Sequence, residues 1–227
     1  MKSKLIVLFV SFICLSVSGT LSAKEISVGY KELEKWAFFG KGFVAADSNQ
    51  EQIVLAELPG SKGVMLVSPV SYPKNIVLSY KIRPLTPESV LVALLSASDK
   101  GEKSSITFPN GYDGNMKYLI TDIDNYFIAF HNSAHKKTPF IRKYPQELPG
   151  KTELVMAESN MMTTEWHDVE VGKKAGKIWL KIDNKTIVET TDKNMINDGH
   201  IIFRMRGTKA RIGVSLIKDV KIEVHDE

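Results

Sequence analysis

The sequence predicts an all-β fold, a two-sheet antiparallel sandwich or jelly roll. Alternation of apolar and polar residues with period two dominates the chain after residue 23, as expected for strands with one buried face. Turn-forming clusters recur between these segments, at Pro59-Gly60, Pro109–Gly111 and Pro149-Gly150. No series of helical patterns alternates with the strands, which argues against a parallel α/β sheet.

Residues 1–23 have the pattern of an export signal. Two lysines precede an apolar run, Leu5–Val17, and Leu21–Ala23 supplies the small residues that signal peptidase requires. The run is too short to cross a bilayer comfortably. We therefore expect residues 24–227 to form a single domain that works in the periplasm or the medium, without a membrane anchor.

Composition narrows the possible functions. The hydrophobic share of 43% and the charged share of 25% are ordinary for a globular domain. The chain has one cysteine, Cys14, inside the expected signal, so disulfides, thiolate metal sites and cysteine nucleophiles are excluded for the mature protein. Removal of Lys2 and Lys4 lowers the net charge from +4 to +2, which gives no reason to expect a nucleic-acid partner.

The strands can be read from their alternation. Ile76–Arg83 places four apolar residues on one face and polar residues on the other, whereas Val90–Leu95 is apolar throughout, as in a strand covered on both faces. Asp183-Asn184 predicts a β-hairpin turn between two strands, and Lys31–Phe38 looks helical. Further strands are predicted at Val64–Ser68, Lys117–Thr121, Tyr126–Asn132, Phe140–Lys143, Glu165–Val171, Lys177–Ile182, Thr186–Glu189, His200–Met205 and Ser215–Val224.

The densest group of reactive side chains lies in Tyr126–Lys143. Two strands and their connection carry five of them, His131, Asn132, His135, Arg142 and Lys143, and can bring them together. A histidine can exchange a proton near neutral pH, and an adjacent Asn or Arg can hold a carboxylate or oxyanion. The alternative is a hydrogen-bonded structural histidine at a strand end. His131 and His135 are four residues apart, but the segment is not helical, so no metal site is expected there.

Two other strands offer groups that could contact a ligand. Trp179 alternates with Ile178 and Leu180 and so stands on the polar face, where an aromatic ring can stack on a sugar. Arg204 and Arg206 share the polar face of another strand, and paired guanidinium groups suit a carboxylate or sulfate. The alternatives are that Trp179 lies beneath a loop or second sheet, and that the arginines form salt bridges on a solvated face.

Weaker signals point to carboxylate chemistry or calcium. Asp168 with Glu170, or Glu165 with Asp183, are candidate acid pairs for glycoside hydrolysis. Asp122–Asn125 and Asp113–Asn115 offer oxygen ligands without completing a known calcium loop, so no cofactor is expected, although calcium stays possible. The chain has no Gly-x-Ser-x-Gly elbow, phosphate loop or dinucleotide fingerprint.

Several of these segments resemble a known superfamily. Glu165–Val171 followed by Gly176–Asn184, with Gly199–Arg206 and Ile217–Ile222, resembles the strands of concanavalin A-like lectin/glucanase domains. Tyr126–Asn132 is similar to the central strand of the YesU-like group in that superfamily. The resemblance implies a jelly roll whose concave face binds carbohydrate. The Glu-x-Asp-x-x-Glu strand of the glucanase branch is missing here, so no catalytic pair is carried over.

The first functional hypothesis is a polysaccharide lyase or glycoside hydrolase that acts on a polysaccharide or oligosaccharide, with an acidic glycan favoured. His131 would be the general acid or base, Arg142, Arg204 and Arg206 would neutralise the sugar's acidic group, and Trp179 would stack on a ring. The alternatives are a non-catalytic, lectin-like glycan-binding module and an envelope interaction protein whose polar strand faces are merely solvated. The first two hypotheses require these side chains to meet in one trough.

Overall fold

The computed structural model describes residues 23–87, 89–101, 104–131, 139–145, 153–156, 161–208 and 211–225. These residues form fifteen strands and two short helices, α1 (Tyr30–Leu33) and α2 (Met116–Thr121). The strands are β1 (Lys24–Val28), β2 (Ala37–Gly40), β3 (Gly42–Asp47), β4 (Gln52–Glu57), β5 (Val64–Val67), β6 (Ile76–Pro84), β7 (Ser89–Asp99), β8 (Ile123–His131), β9 (Phe140–Tyr144), β10 (Glu153–Met156), β11 (His167–Lys174), β12 (Lys177–Ile182), β13 (Lys185–Thr191), β14 (His200–Gly207) and β15 (Val214–Val224).

The strands form two antiparallel sheets. The larger sheet has the order β13-β12-β11-β6-β15-β4-β3, with β1 also paired to β15. The smaller sheet has the order β10-β9-β8-β7-β14-β5-β2. Most neighbours within a sheet are distant in sequence, as when β6 pairs with both β11 and β15. The prediction of an all-β, two-sheet antiparallel fold is confirmed.

The main hydrophobic core lies between the sheets. The apolar face of β6, which carries Leu78 and Tyr80, packs against residues of the smaller sheet such as Phe203. We call the other surface of each sheet its outer face. A second apolar cluster covers part of the smaller sheet's outer face, where Phe108 and Tyr118 of the 104–122 segment pack over Phe39, Phe127 and their neighbours.

Several local predictions are confirmed. β7 is buried on both faces. Leu91 and Leu95 belong to the main core, and Val92 and Leu94 belong to the second apolar cluster. Asp183 and Asn184 both have positive φ, 50° and 62°, and they join β12 to β13 as a tight hairpin.

Other local predictions are wrong. Lys117–Thr121 lies in α2 and not in a strand, because the Asn115 side chain accepts a hydrogen bond from Lys117 N at 2.9 Å and caps the helix. The helix predicted over Lys31–Phe38 is limited to one turn, and the chain is extended again from Ala37. The strands β1 to β4 and β10 were not predicted at all.

Where the structure describes the chain, no helix is both long and apolar enough to cross a membrane. The predicted export signal lies outside the described residues, except for Ala23.

Candidate functional site

The predicted site residues fall on three different surfaces. His131, Arg142, Arg204 and Arg206 lie on the smaller sheet's outer face, and Trp179 lies on the outer face of the larger sheet. Lys143 points to the opposite side of the smaller sheet from Arg142. Asn132 and His135 lie outside the described residues. The expectation of a single trough is therefore wrong, since two sheets and their shared core separate Trp179 from the arginines.

His131 and Arg206 share one row of the smaller sheet. Each lies directly opposite Val90 of the intervening strand, His131 on β8 and Arg206 on β14. Directly opposite residues of an antiparallel pair share a face, so His131, Val90 and Arg206 form a line about 10 Å long across three strands. The His131 side chain is buried, with 1% of its surface exposed, whereas Arg206 is exposed.

A cavity of about 680 Å³ opens at the Arg206 end of this row, and we call it the arginine pocket. Its lining includes Arg204, Arg206, Arg211 and Glu57, together with Val90, Met116, Leu58, Ile212 and the segment Pro59–Ser61. Three guanidinium groups and one carboxylate thus contribute to a single cavity. The apolar rim residues Leu58, Met116 and Ile212 are 36% to 43% exposed.

Arg204 forms the buried wall of the arginine pocket. Its Nη2 donates to the carbonyl oxygens of Lys62, at 3.0 Å, and of Gly114, at 3.2 Å. Its Nε is buried without a hydrogen-bond partner. Burial lowers the pKa of Arg204 to about 10, but the side chain stays a cation at neutral pH. Arg204 therefore anchors the wall and also supplies positive potential to the cavity.

Glu57 fixes the turn that carries Arg211. Its Oε2 accepts hydrogen bonds from Gly207 N at 2.6 Å and from Gly213 N at 2.8 Å. Because this carboxylate is 3% exposed and is engaged by backbone donors, it does not form an ion pair with Arg206. Arg206 makes no hydrogen bond or ion pair with any residue that the structure describes. Its side chain is exposed at the mouth of the arginine pocket.

Arg142 and Lys143 have structural partners of different kinds. The Arg142 guanidinium lies 4.3 Å from the centre of the Phe140 ring and 3.4 Å from the Tyr144 hydroxyl. Lys143 Nζ forms an ion pair with Asp192 at 2.8 Å, at the end of the core where Asp192 also accepts from the Tyr126 hydroxyl. Adjacent strand residues point to opposite faces, so these two cations do not act on one ligand.

Trp179 lies beside a groove of about 760 Å³ on the larger sheet, which we call the outer-face groove. Trp179 is partly exposed, and its Nε1 donates to Glu170 Oε1 at 2.6 Å. Glu170, Asp168 and Lys181 line the groove together with Ser79, Lys81, Asp219 and Lys221. The prediction that Trp179 stands on the polar face of its strand agrees with this placement.

The carboxylates predicted as acid pairs or calcium ligands make ordinary structural contacts. Glu170 Oε1 is also 2.8 Å from Lys181 Nζ, so this carboxylate is engaged by two protein donors, Trp179 Nε1 and Lys181 Nζ. Asp183 accepts from Asp168 N and contacts His167 Nδ1. Asp113 pairs with Lys62, and Asp124 accepts from Gly101 N. Within the described ranges, no cluster of three or more His, Asp or Glu side chains could hold a metal ion.

Sequence reasoning missed three residues that shape these surfaces. Glu57 and Arg211 belong to the arginine pocket, and Gly172 lies beneath the Trp179 ring. The run Arg206–Arg211 contains three cations in six residues, which is a signal for Arg211. Glu57 and Gly172 leave no such signal, because their importance comes from strand pairing with distant segments.

Comparison with known proteins identifies the fold. No family model and no curated protein matches the chain. Among solved structures, the chain is similar to a Bacillus subtilis protein of unknown function with a galectin-like fold, at 15% identity and a TM-score of 0.70 over 90% of this chain and 100% of that one. It is also similar to a kappa-carrageenase from Pseudoalteromonas carrageenovora, at 9% identity and a TM-score of 0.57 over 96% and 100% of the two chains.

A third similar structure is the carbohydrate-binding module CBM66 from Bacillus subtilis, at 10% identity and a TM-score of 0.54 over 83% of this chain and 96% of that one. At these identities the similarity establishes the fold alone. The chain has a jelly roll of the galectin-like, concanavalin A-like kind, a fold that carries both enzymes and binding modules.

Proposed function

We propose that the protein is an exported carbohydrate-binding protein that takes the acidic group of a polysaccharide or oligosaccharide in the arginine pocket. The observation that carries the proposal is Arg206, an exposed guanidinium that lines the pocket and makes no hydrogen bond or ion pair with the residues the structure describes. A guanidinium donates two parallel hydrogen bonds to a carboxylate or sulfate, so it suits a uronate or a sulfated sugar.

The remainder of the arginine pocket supports the same ligand class. Its volume of about 680 Å³ lies within the range of small-ligand sites. Arg204 and Arg211 add positive charge, while the exposed apolar side chains of Leu58, Met116 and Ile212 offer surface to the C–H faces of a sugar ring. The similar carrageenase, which was solved with a carrageenan oligosaccharide, supports the choice of a glycan.

The proposed location agrees with this ligand. The predicted signal in residues 1–23 would deliver the domain to the periplasm or the medium. A protein in either compartment encounters polysaccharides, and many of these are acidic like the proposed ligand.

Cleavage of the bound glycan is the second candidate, and one observation favours it. His131 stands in the same row as Arg206, with Val90 between them. In a β-elimination, neutralising the sugar carboxylate acidifies the adjacent C5 proton, and a histidine within reach can remove it. Binding is the better supported function, because the His131 side chain is 1% exposed.

Calorimetric titration with a galacturonic-acid hexasaccharide tests the binding function. We expect Arg206→Ala to weaken binding about tenfold or more, since a bidentate charged pair is lost. Arg206→Lys should bind with intermediate affinity, because it keeps the charge and loses the fork. Lys185→Ala removes one exposed cation from the other sheet and should bind like wild type. Equal affinity in wild type and Arg206→Ala would disprove the proposal.

Incubation of the wild-type protein with polygalacturonate separates binding from cleavage. A lyase would produce the ultraviolet absorbance of unsaturated uronates, and His131→Ala would abolish that signal while leaving binding within about tenfold. A wild-type protein that binds but produces neither this absorbance nor new reducing ends is a binding module.

A further inference from the structure

We infer that the outer-face groove is a second carbohydrate site, which takes a neutral saccharide with one ring stacked on Trp179. This site lies on the larger sheet, and the arginine pocket lies on the smaller one. The inference therefore stands on its own observations and does not depend on the proposed acidic ligand.

The Trp179 ring is fixed flat on the sheet by Gly172. The two residues are direct partners on β12 and β11, and a Cβ atom on Gly172 would come within 2.0 Å of Trp179 Cζ2. The glycine leaves the space that the indole fills. One face of the ring is thus against the backbone, and the side chain is still partly exposed. A flat, fixed and exposed aromatic face is what stacking on a sugar ring requires.

Glu170 and Lys181 hold the ring in this position. Glu170 Oε1 accepts from Trp179 Nε1 at 2.6 Å and lies 2.8 Å from Lys181 Nζ, and that ammonium is 6.0 Å from the centre of the Trp179 ring. The indole N–H is already satisfied, so it does not need a ligand. The Lys181 ammonium lies over the ring, so a sugar stacks on the part of the apolar face that this ammonium leaves open, with Glu170 and Lys181 as neighbouring hydrogen-bonding partners.

The groove begins beside this ring, at Glu170 and Lys181, and runs across the sheet. Lys181, Glu170, Ser79, Lys221 and Ser27 face one another in a single row over five adjacent strands. The row holds two lysine donors, one carboxylate acceptor and two hydroxyl groups at the strand spacing of about 4.8 Å. A saccharide chain presents hydroxyl groups, each a donor and an acceptor, on a similar scale. The groove can thus bond several hydroxyls of one extended ligand.

The charge of the groove selects a neutral ligand. The lining contains three lysines, Lys81, Lys181 and Lys221, and four acids, Glu51, Asp168, Glu170 and Asp219. These charges nearly cancel, and some are already paired, as Lys81 is with Asp219 at 3.6 Å. Neither an anionic nor a cationic polymer gains from such a lining. The arginine pocket has the opposite character, with three cations against one backbone-bound carboxylate.

Titration of the full mature protein with neutral hexasaccharides tests this site. The probes are cellohexaose, laminarihexaose and mannohexaose, with heat and tryptophan fluorescence as readouts. We expect saturable binding to at least one probe, and we expect Trp179→Ala to weaken it about tenfold. Trp179→Phe should recover part of the affinity because it restores an aromatic face. Lys177→Ala changes an exposed residue on the same strand outside the groove and should bind like wild type.

No saturation by any of the three probes up to about 10 mM, or equal affinity in wild type and Trp179→Ala, would overturn the inference. Binding of the galacturonic-acid probe should be the same in wild type and Trp179→Ala. A loss of neutral-sugar binding would therefore count against the outer-face groove alone, and a loss of acidic-sugar binding against the arginine pocket alone.

Discussion

At the scale of single residues, Lys173 is a lysine whose cationic side chain is buried in the core. It lies on the core side of β11, in line with Val169 and Val171, and has no exposed surface. Its ammonium donates to the carbonyl oxygens of Ile196 at 2.9 Å and Asn197 at 2.7 Å, and to the Ser96 hydroxyl. It thereby ties the larger sheet to β7 and to the segment before β14.

Lys173 should make stability depend on pH above neutrality. Burial lowers its pKa to about 7, Asp198 opposes this change and Lys74 adds to it. Below pH 7 the lysine is protonated in both the folded and the unfolded state, so the full cost of burying a cation applies. Between pH 7 and the unfolded pKa near 10.4 only the unfolded state binds the proton, so stability rises with pH.

Urea unfolding at pH 7, 8 and 9 measures this effect. We expect the free energy of unfolding of wild type to rise by up to about 1.4 kcal/mol per pH unit relative to Lys173→Met, which has no titrating group there. Lys174→Met, on the exposed side of the same strand, should follow wild type. Parallel pH profiles for wild type and Lys173→Met would show that the buried amine does not titrate in this range.

At the scale of secondary-structure elements, the best prediction from sequence is the β12–β13 hairpin. Its turn residues, Asp183 and Asn184, both have positive φ, which matches the mirror-image turn that twisted strands require. The strand predicted for Lys117–Thr121 is wrong. The residues of this segment suit a strand, but the Asn115 cap and the packing of Leu119 stabilise a helix. Propensity is a weak prior when a cap and a buried contact oppose it.

Substitution of Asn184 tests this hairpin. Asn184→Gly should leave stability unchanged or slightly higher, because glycine adopts positive φ without steric cost. Asn184→Ala should lower the free energy of unfolding by about 1 kcal/mol, since a Cβ atom disfavours this conformation. The exposed neighbour Lys185→Ala is the control in the same urea titration. Equal stability of the alanine and glycine variants at position 184 would mean that the turn relaxes to another geometry.

At the scale of the whole molecule, strand order decides what the sequence could and could not reveal. Alternation along one strand correctly directs Trp179 outward and pairs Arg204 with Arg206. It does not tell which sheet a strand joins, so Trp179 and the arginines were expected in one trough. It also does not reveal that Arg204 is 3% exposed, because the carbonyl groups that cover it belong to Lys62 and Gly114, far away in the chain.

The separation of the two surfaces by the core has a thermodynamic consequence. If the arginine pocket and the outer-face groove bind independently, each ligand stabilises the folded state by RT ln(1 + [L]/Kd), about 2.7 kcal/mol at a hundredfold excess over Kd. Urea unfolding with a galacturonic-acid hexasaccharide and a neutral hexasaccharide together should then give the sum of the two separate increments. Trp179→Ala should lose the neutral increment and Arg206→Ala the acidic one. If the combined increment is no larger than the greater of the two single increments, both sugars compete for one surface. The positions of Trp179 and Arg206 on opposite sheets argue against that outcome.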